Sequence, residues 1–370
     1  MPKTLSMLIG GDCGPVHGPK DGFPVQGYTE HVQAALDAAD MRFVNCMRTY
    51  SDQGDTLESQ PHVRQPIEMA EIFSNGKFDA VTLANNHTYD SGPEAMLNTR
   101  ALFNSRGIQT TGVGRDLTEA CQAAIVEKDG VRVAYLGKSS VSRPGSEAGK
   151  DKPGIATIRT SVSYETRGEN ELVRIKTEPD PADLEMLQEE IRALKRKADI
   201  VVLAYHAGVI RVPRVIPDYQ VAVAHAAVDA GADLVVSHSP HIPKGIEVYK
   251  GKAIFYSIGV FAMTKTFAAP SWAAPAWVQG AIRGATDLDP EYPFMPYGKD
   301  CTKSLLVKAT FGKGGIQRVS FLPVKINKRY CPEILSRGTP GFREIVDYME
   351  WVSVDLPHQF SIEGDEVVIT

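Results

Sequence analysis

The feature that most constrains this chain is a set of short apolar runs, each stopping abruptly at a polar residue. Leu5 to Gly11, Met41 to Cys46, Phe78 to Ala84, Ile200 to Tyr205 and Leu234 to Val236 read as buried strands. Segments with apolar residues at helical spacing lie between them. In Thr29 to Ala39, the side chains of Val32, Ala35, Leu36 and Ala39 share one face, with Thr29 as the expected cap. His62 to Phe73, Glu94 to Phe103, Pro181 to Lys197 and Pro217 to Ala230 follow the same pattern. Strands alternating with helices predict one α/β domain with embellishments.

Three hairpins are expected. The first joins Gln122 to Val126 with Val131 to Leu136 across Asp129-Gly130. The second crosses Lys250-Gly251, between Ile246 to Tyr249 and Ala253 to Ile258. The third lies around Gly314-Gly315, between Leu305 to Phe311 and Gln317 to Val324. Two stretches, near 139–180 and 263–303, lack clear periodicity and read as irregular insertions. The main domain is expected over residues 1–330. A helix near Gly341 to Val352 and a short strand pair, within 331–370, pack on it.

The polar residues that end the strands carry the functional signal. Asp12 follows the first run, Asn45 and Cys46 the second, and Asn85, Asn86 and His87 the third, with Asp90 close behind. His206 follows the fourth; His238 and His241 follow the fifth. In α/β sheets, ligands bind in the crevice beyond the carboxyl ends of the strands. Carboxylate, amide oxygen and imidazole together suit Mn²⁺, Zn²⁺ or Fe²⁺. A metal so held lowers the pKa of water and polarises a substrate oxygen, so hydrolysis is the expected reaction class. Each residue alone also has a plainer reading: Asp12 as a turn cap, His206 as a core histidine, Asn85 to His87 as an Asx turn opening a helix.

Composition narrows the partners. The 370 residues carry a net charge of −5, and the pI is about 6.0, which argues against nucleic acid. Arg48, Lys138, Arg211, Arg214 and Lys244 lie near the expected mouth and suit a small or oligomeric anionic substrate; Asn85, Arg48 and Arg211 are the expected substrate-binding residues. The stretch from Phe267 to Tyr297 is rich in aromatics and either walls a pocket or forms a homo-oligomer interface. No run of about 18 apolar residues suggests a membrane span. MPKTLSMLIGGDCG lacks the apolar length of a secretory signal, and the five cysteines show no C-x-x-C, so a cytoplasmic location is expected. Cys46 is a further candidate, as nucleophile with a nearby histidine.

The motifs GGD, ANNHTYDSG, YHAG, AGADLVVSHSPH and YKGKAIFYSIGVF occur in the order of the CapA family. That family is associated with capsular poly-γ-glutamate and resembles calcineurin-like metallophosphoesterases. The resemblance covers about residues 4 to 262. It implies a four-layer α/β sandwich and one or two divalent ions. It implies Asp12 as an acidic ligand, Asn86 as an amide ligand, and His206, His238 and His241 as imidazole ligands. It implies His87 as general acid or transition-state stabiliser, oriented by Asp90. The reaction expected is hydrolysis of a phosphoester or of a γ-glutamyl or peptide-like amide.

Four motifs depart from the family pattern. N-L-E is here Asn45-Cys46-Met47, and G-H-H-P-H is Ser237-His238-Ser239-Pro240-His241. H-W-G-x-E is His206-Ala207-Gly208-Val209-Ile210, and Y-S-L-G-N-F is Tyr256-Ser257-Ile258-Gly259-Val260-Phe261. His17 and Asp52 are candidates to compensate for the missing ligands. The departures leave a second reading open: a catalytically degenerate protein that binds a polyanionic polymer or a partner.

Overall fold

The computed structural model describes residues 4–15, 25–55, 64–166, 168, 172–263, 291–292 and 299–370. The chain begins β1 (Leu5–Gly14), α1 (Gln33–Ala38), β2 (Met41–Cys46), α2 (Glu71–Asn75), β3 (Ala80–Thr82), α3 (Gly92–Ser105), β4 (Gln109–Thr111). There follow β5 (Val113–Gly114), α4 (Leu117–Ala120), β6 (Ala124–Lys128), β7 (Val131–Ser139), β8 (Gly154–Ile155), β9 (Thr160–Glu165), β10 (Arg174–Pro179) and α5 (Pro181–Lys195). Next are β11 (Ile200–His206), α6 (Asp218–Ala230), β12 (Leu234–His238), β13 (Ile246–Tyr249), β14 (Lys252–Phe255) and β15 (Val260–Met263). The last elements are β16 (Lys303–Gly312), β17 (Gly315–Ile326), β18 (Pro332–Ile334), α7 (Pro340–Ser353), β19 (Phe360–Glu363) and β20 (Glu366–Ile369).

Two large sheets result. One runs β19-β20-β17-β16-β1-β2-β3-β4, with β15 also beside β1 and β18 beside β17; the other runs β13-β14-β12-β11-β7-β6. Strands β1 to β4 are mutually parallel, as are β7, β11, β12 and β14. Side-chain alternation builds the layers. Ile200, Val202 and Ala204 of β11 point into the core between the sheets, where they join Met7 and Ile9 of β1. Val201, Leu203 and Tyr205 point outward, onto Leu187 and Ile191 of α5 and Val223 and Ala227 of α6. On the outer face of the first sheet, Leu8 packs with Leu36, Phe73 and Phe103 of α1, α2 and α3. The order is helices, sheet, sheet, helices: a four-layer α/β sandwich. Helix α7 adds Phe342, Ile345 and Met349 to the central core, and β20 pairs with β17.

The three hairpins form where their turn residues place them. Asp129 and Gly130 have φ of 51° and 74°, and Lys250 and Gly251 have 49° and 74°, the left-handed pair that a two-residue turn needs. Other expectations are corrected. The helix expected from Thr29 begins at Gln33, after a 3-10 turn over Val25–Thr29, and no side chain caps it. The helix expected from His62 begins later; residues 62 and 63 lie outside the described residues. Gln65 bridges to Tyr50, Pro66 is extended (ψ 143°), and the chain then forms a 3-10 turn at Ile67–Ala70 before α2.

The stretch near 139–180 is not irregular throughout. Gly154 and Ile155 pair with β5, and β9 and β10 form a hairpin held on α6, where Thr177 N donates to Asp218 and Tyr219 N donates to Thr177 Oγ1. Such short strands leave little periodicity to read. Of the aromatic insertion, Phe267, Trp272, Trp277 and Tyr297 lie outside the described residues; Tyr292 is buried against Tyr330. Among the described residues, no helix is long and apolar enough to cross a membrane. No disulfide joins the five cysteines.

Phe43 and Tyr135 stack across the two sheets, with ring centroids 4.4 Å apart and planes within 5°. Both are fully buried. Phe43→Ala is expected to cost about 3–5 kcal/mol, the usual loss for a buried aromatic. Denaturant unfolding measures it, and a loss below about 1 kcal/mol would show that the contact does not join the sheets.

Candidate active site

The site begins at a break in β1. Residues Leu5 to Ile9 pair with β16 and Asp12 to Gly14 with β15, and the register against β2 slips between Gly10 and Asp12. Such a bulge re-aims a side chain. Gly11 permits it, because a Cβ there would stand 2.1 Å from the Gly259 carbonyl oxygen. That same carbonyl accepts Asp12 N at 3.0 Å. Asp12 is thereby turned, fully buried, toward the other sheet.

The loop after β3 is organised by Asn85. Its Nδ2 donates to Asn45 Oδ1 (3.2 Å) and to the Cys46 carbonyl (2.7 Å). Its Oδ1 accepts His87 N (3.0 Å) and Thr88 Oγ1 (3.1 Å). Asn45 in turn donates Nδ2 to Asp12 Oδ1 at 2.8 Å. His87 Nδ1 lies 2.7 Å from Asp90 Oδ2, so the carboxylate accepts from Nδ1–H and Nε2 carries the lone pair.

The second sheet closes the arrangement. His206 and His238 end adjacent strands in register. His206 Nε2 donates to Asn86 Oδ1 at 3.0 Å, and its Nδ1 faces Asn45 Nδ2 at 3.4 Å. His241 Nδ1 donates to Asp12 Oδ2 at 2.9 Å. The turn carrying it is strained: Ser239 and His241 have φ of 101° and 61° without being glycine. Strain of this kind costs about 1–3 kcal/mol and gathers at functional sites. His238 is fully buried, and neither ring nitrogen makes a well-formed hydrogen bond; the Gly10 backbone is its polar neighbour.

Burial sets the charges. It opposes ionisation of Asp12, but the His241 hydrogen bond and the His241, His206 and His238 imidazoles outweigh it and hold the carboxyl well below its usual range. Burial pushes His206 down to about 3 against the pull of Asp12. It also lowers His238, and lowers His87 with help from the Arg48 and Arg143 guanidiniums. The crevice therefore holds an ionised carboxylate beside the His87, His206 and His238 imidazoles, which are kept neutral.

The chain is similar to known proteins. The family described as bacterial capsule synthesis protein PGA_cap matches residues 7–265. The chain belongs to that family. It is 32% identical over 235 residues to the PGA biosynthesis protein CapA of Bacillus subtilis, covering 63% of this chain and 55% of that one. It is 31% identical over 200 residues to the capsule biosynthesis protein CapA of Bacillus anthracis, covering 54% and 44%. The chain thus spans about half the length of these curated relatives. Among solved structures, a hypothetical protein from Thermus thermophilus overlaps with a TM-score of 0.47 at 16% identity, covering 87% of this chain and 99% of that one.

The PGA_cap motifs fall on both sheets, and the fold brings Asp12, Asn86, His87, Asp90, His206, His238 and His241 to one crevice. Among the described residues, no three His, Cys, Asp or Glu side chains stand arranged to share a cation. The side chains hydrogen-bond one another instead. The fit to a divalent ion is one of chemistry: an ionised carboxylate, imidazoles, amide oxygens, and two buried nitrogens on His238 that make no well-formed hydrogen bond among the described residues. Met47 and Val260 take no part, since they pack with Met263 in a small apolar cluster. Of the proposed compensating ligands, Asp52 is exposed and His17 lies outside the described residues.

Several expectations need correction. Asn85 is not available to a substrate, because its amide is saturated within the protein. Lys138 lies under α5, with Nζ on Glu190 and 3.1 Å from Cys121 Sγ. Arg214 pairs with Asp355, and Lys244 is buried with its Nζ on the Val215 carbonyl. Two of the expected basic residues do stay at the crevice: Arg211 is held by its backbone to Pro240, beside His241, and Arg48 is buried near His87. Cys46 donates its thiol to the Arg48 carbonyl, and burial pushes it up to about 12, which removes it as a nucleophile.

Two further residues shape the site. Asn45 bridges Asp12 and His206; its place at a strand end was the available signal. Arg143 reaches in from the stretch read as irregular, with Nη2 3.2 Å from Asp90 Oδ1 and Nε 3.3 Å from the Asn86 carbonyl. Nothing in the local pattern marked it.

Burial alone lowers the Lys244 ammonium to about 7, from an ordinary value near 10.5. Between those values the unfolded chain holds a proton that the folded chain releases, so Lys244 makes stability rise with pH across that window. Below it, the full cost of burying the charge remains. Lys244→Met is expected to raise Tm at neutral and lower pH, with the gain vanishing as pH approaches the ordinary lysine value. A gain independent of pH across that range would contradict this account.

Proposed function

We propose that this chain is a metal-dependent hydrolase of anionic substrates, cleaving a phosphoester or an amide of the γ-glutamyl or peptide type. The observation that carries the reading is the meeting of Asp12 and Asn86 from one sheet with His206, His238 and His241 from the other. One divalent cation (Mn²⁺, Zn²⁺ or Fe²⁺), or two, would be held by these residues. It supplies Lewis acidity, lowering the pKa of water and polarising a substrate oxygen. The amide class draws on the relatives, among them the PGA biosynthesis protein CapA of Bacillus subtilis and a probable polyglutamine synthesis accessory protein of Mycobacterium tuberculosis.

The chain's own groups do the rest. Asp90 holds the His87 ring through Nδ1–H and directs Nε2 at the reacting centre. Arg143 holds Asp90 from the other side. Neutral at ordinary pH, His87 takes up a proton at Nε2 and returns it to the leaving group. Asn45 keeps Asp12 oriented and His206 in one tautomer. The buried walls around Asp12 exclude bulk water, which strengthens each of these interactions.

A second reading has its own support. Met47, Val260 and Met263 form an apolar cluster against the end of β1, which suits a protein that binds a polyanion without turning it over. Metal content separates the two. Elemental analysis of protein purified without chelator is expected to find one or two divalent ions per chain. None, even after incubation with Mn²⁺ or Zn²⁺, would favour the binding protein. His87→Ala is expected to lower turnover about 100- to 10,000-fold with metal retained. Asn86→Ala is expected to lose metal as well. Equal metal loss in both variants would contradict the division of roles.

A further inference from the structure

Two guanidiniums act on His87, Arg48 and Arg143. Arg143 is matched by the Asp90 carboxylate at 3.2 Å. Arg48 has no such match: among the described residues no carboxylate pairs with it, and its Nε and Nη1 are sealed from solvent without a hydrogen-bond partner. The residue is only 3% exposed. A guanidinium cannot shed its proton to escape this, as a lysine or histidine can. Its position is fixed from below: a Cβ on Gly14 would stand 2.7 Å from Arg48 Cγ and 3.1 Å from Met47 Cβ. Glycine at 14 therefore makes the room in which this side chain lies over the end of β1. The neighbouring Met47, Val260 and Met263 offer no oxygen or nitrogen in their side chains. They lower the local polarity and leave the charge unanswered.

Buried charges are ordinarily paired, and an unpaired one is costly. The partner that fits a planar guanidinium fork is a carboxylate or a phosphate. We propose that Arg48 forms an oxyanion subsite beside His87, taking a phosphate or carboxylate group of the ligand. This rests on the crevice being the ligand site, but on neither metal nor turnover.

The test is calorimetric titration of the full chain with inorganic phosphate and, separately, with succinate, on protein as purified and after dialysis against a chelator. Thermal unfolding accompanies each titration. Wild type is expected to bind at least one of the two anions in both preparations, and to gain Tm with it; which anion binds tells phosphate from carboxylate recognition. Arg48→Met is expected to weaken that binding about thirtyfold or more, the usual result of removing one partner of a buried charge pair. Its Tm without anion is expected to equal or exceed that of wild type, because the lost charge had no protein partner. Arg48→Lys is expected to retain part of the affinity. Wild type binding neither anion overturns the proposal. So does Arg48→Met binding as tightly as wild type, or losing Tm while its anion affinity is unchanged. A chain that binds phosphate through Arg48 yet hydrolyses nothing refutes the hydrolase and leaves the subsite standing. A hydrolase whose anion affinity is indifferent to Arg48 does the reverse.

Discussion

A fully buried, ionised carboxylate cannot stand alone in a protein interior. Asp12 is such a group, and the centre of the molecule is arranged around it. Asn45 holds one oxygen from the same sheet, and His241 holds the other from the opposite sheet. The contact bridges the two halves of the sandwich at their carboxyl ends, where the parallel strands of both sheets deliver their last residues. His206 on Asn86 makes a second bridge of the same kind. The apolar core beneath, with Phe43 stacked on Tyr135, brings the sheets together. These polar bridges set their relative position at the rim.

The electrostatics follow from the same burial. Desolvation keeps His87, His206 and His238 neutral, and neutral imidazole is the form that accepts a proton or ligates a cation. The site is asymmetric. Toward the second sheet it is rich in imidazole and amide groups. Toward Met47 and Val260 it is apolar, and its charge there is the fixed guanidinium of Arg48. A permanent cation thus stands beside an apolar wall on that side of the crevice.

Much of the fold was legible because buried strands and two-residue turns leave strong local marks. The runs of β1, β2, β11 and β12 needed no tertiary information, nor did Asp129-Gly130 and Lys250-Gly251 as turns. The strand ends likewise announced Asp12, Asn86, His206, His238 and His241. What failed was local structure decided from a distance. Gln65 is drawn into a bridge with Tyr50, so the helix expected across it starts later. The hairpin of β9 and β10 is steadied by α6, well downstream in the chain, and its own pattern is weak.

Sequence determined the alternation of strand and helix, the turn chemistry, and which polar residues stand at strand ends, because each depends on neighbours along the chain. Tertiary structure decided which of those residues meet. It directed Asn85 inward to organise a loop, carried Lys138 and Lys244 away from the mouth, and brought Arg143 onto Asp90. It also left Arg48 buried, with Nε and Nη1 unmatched among the described residues. Direction, burial and pairing of a charged side chain depend on what the other sheet supplies, and no spacing within one segment encodes that.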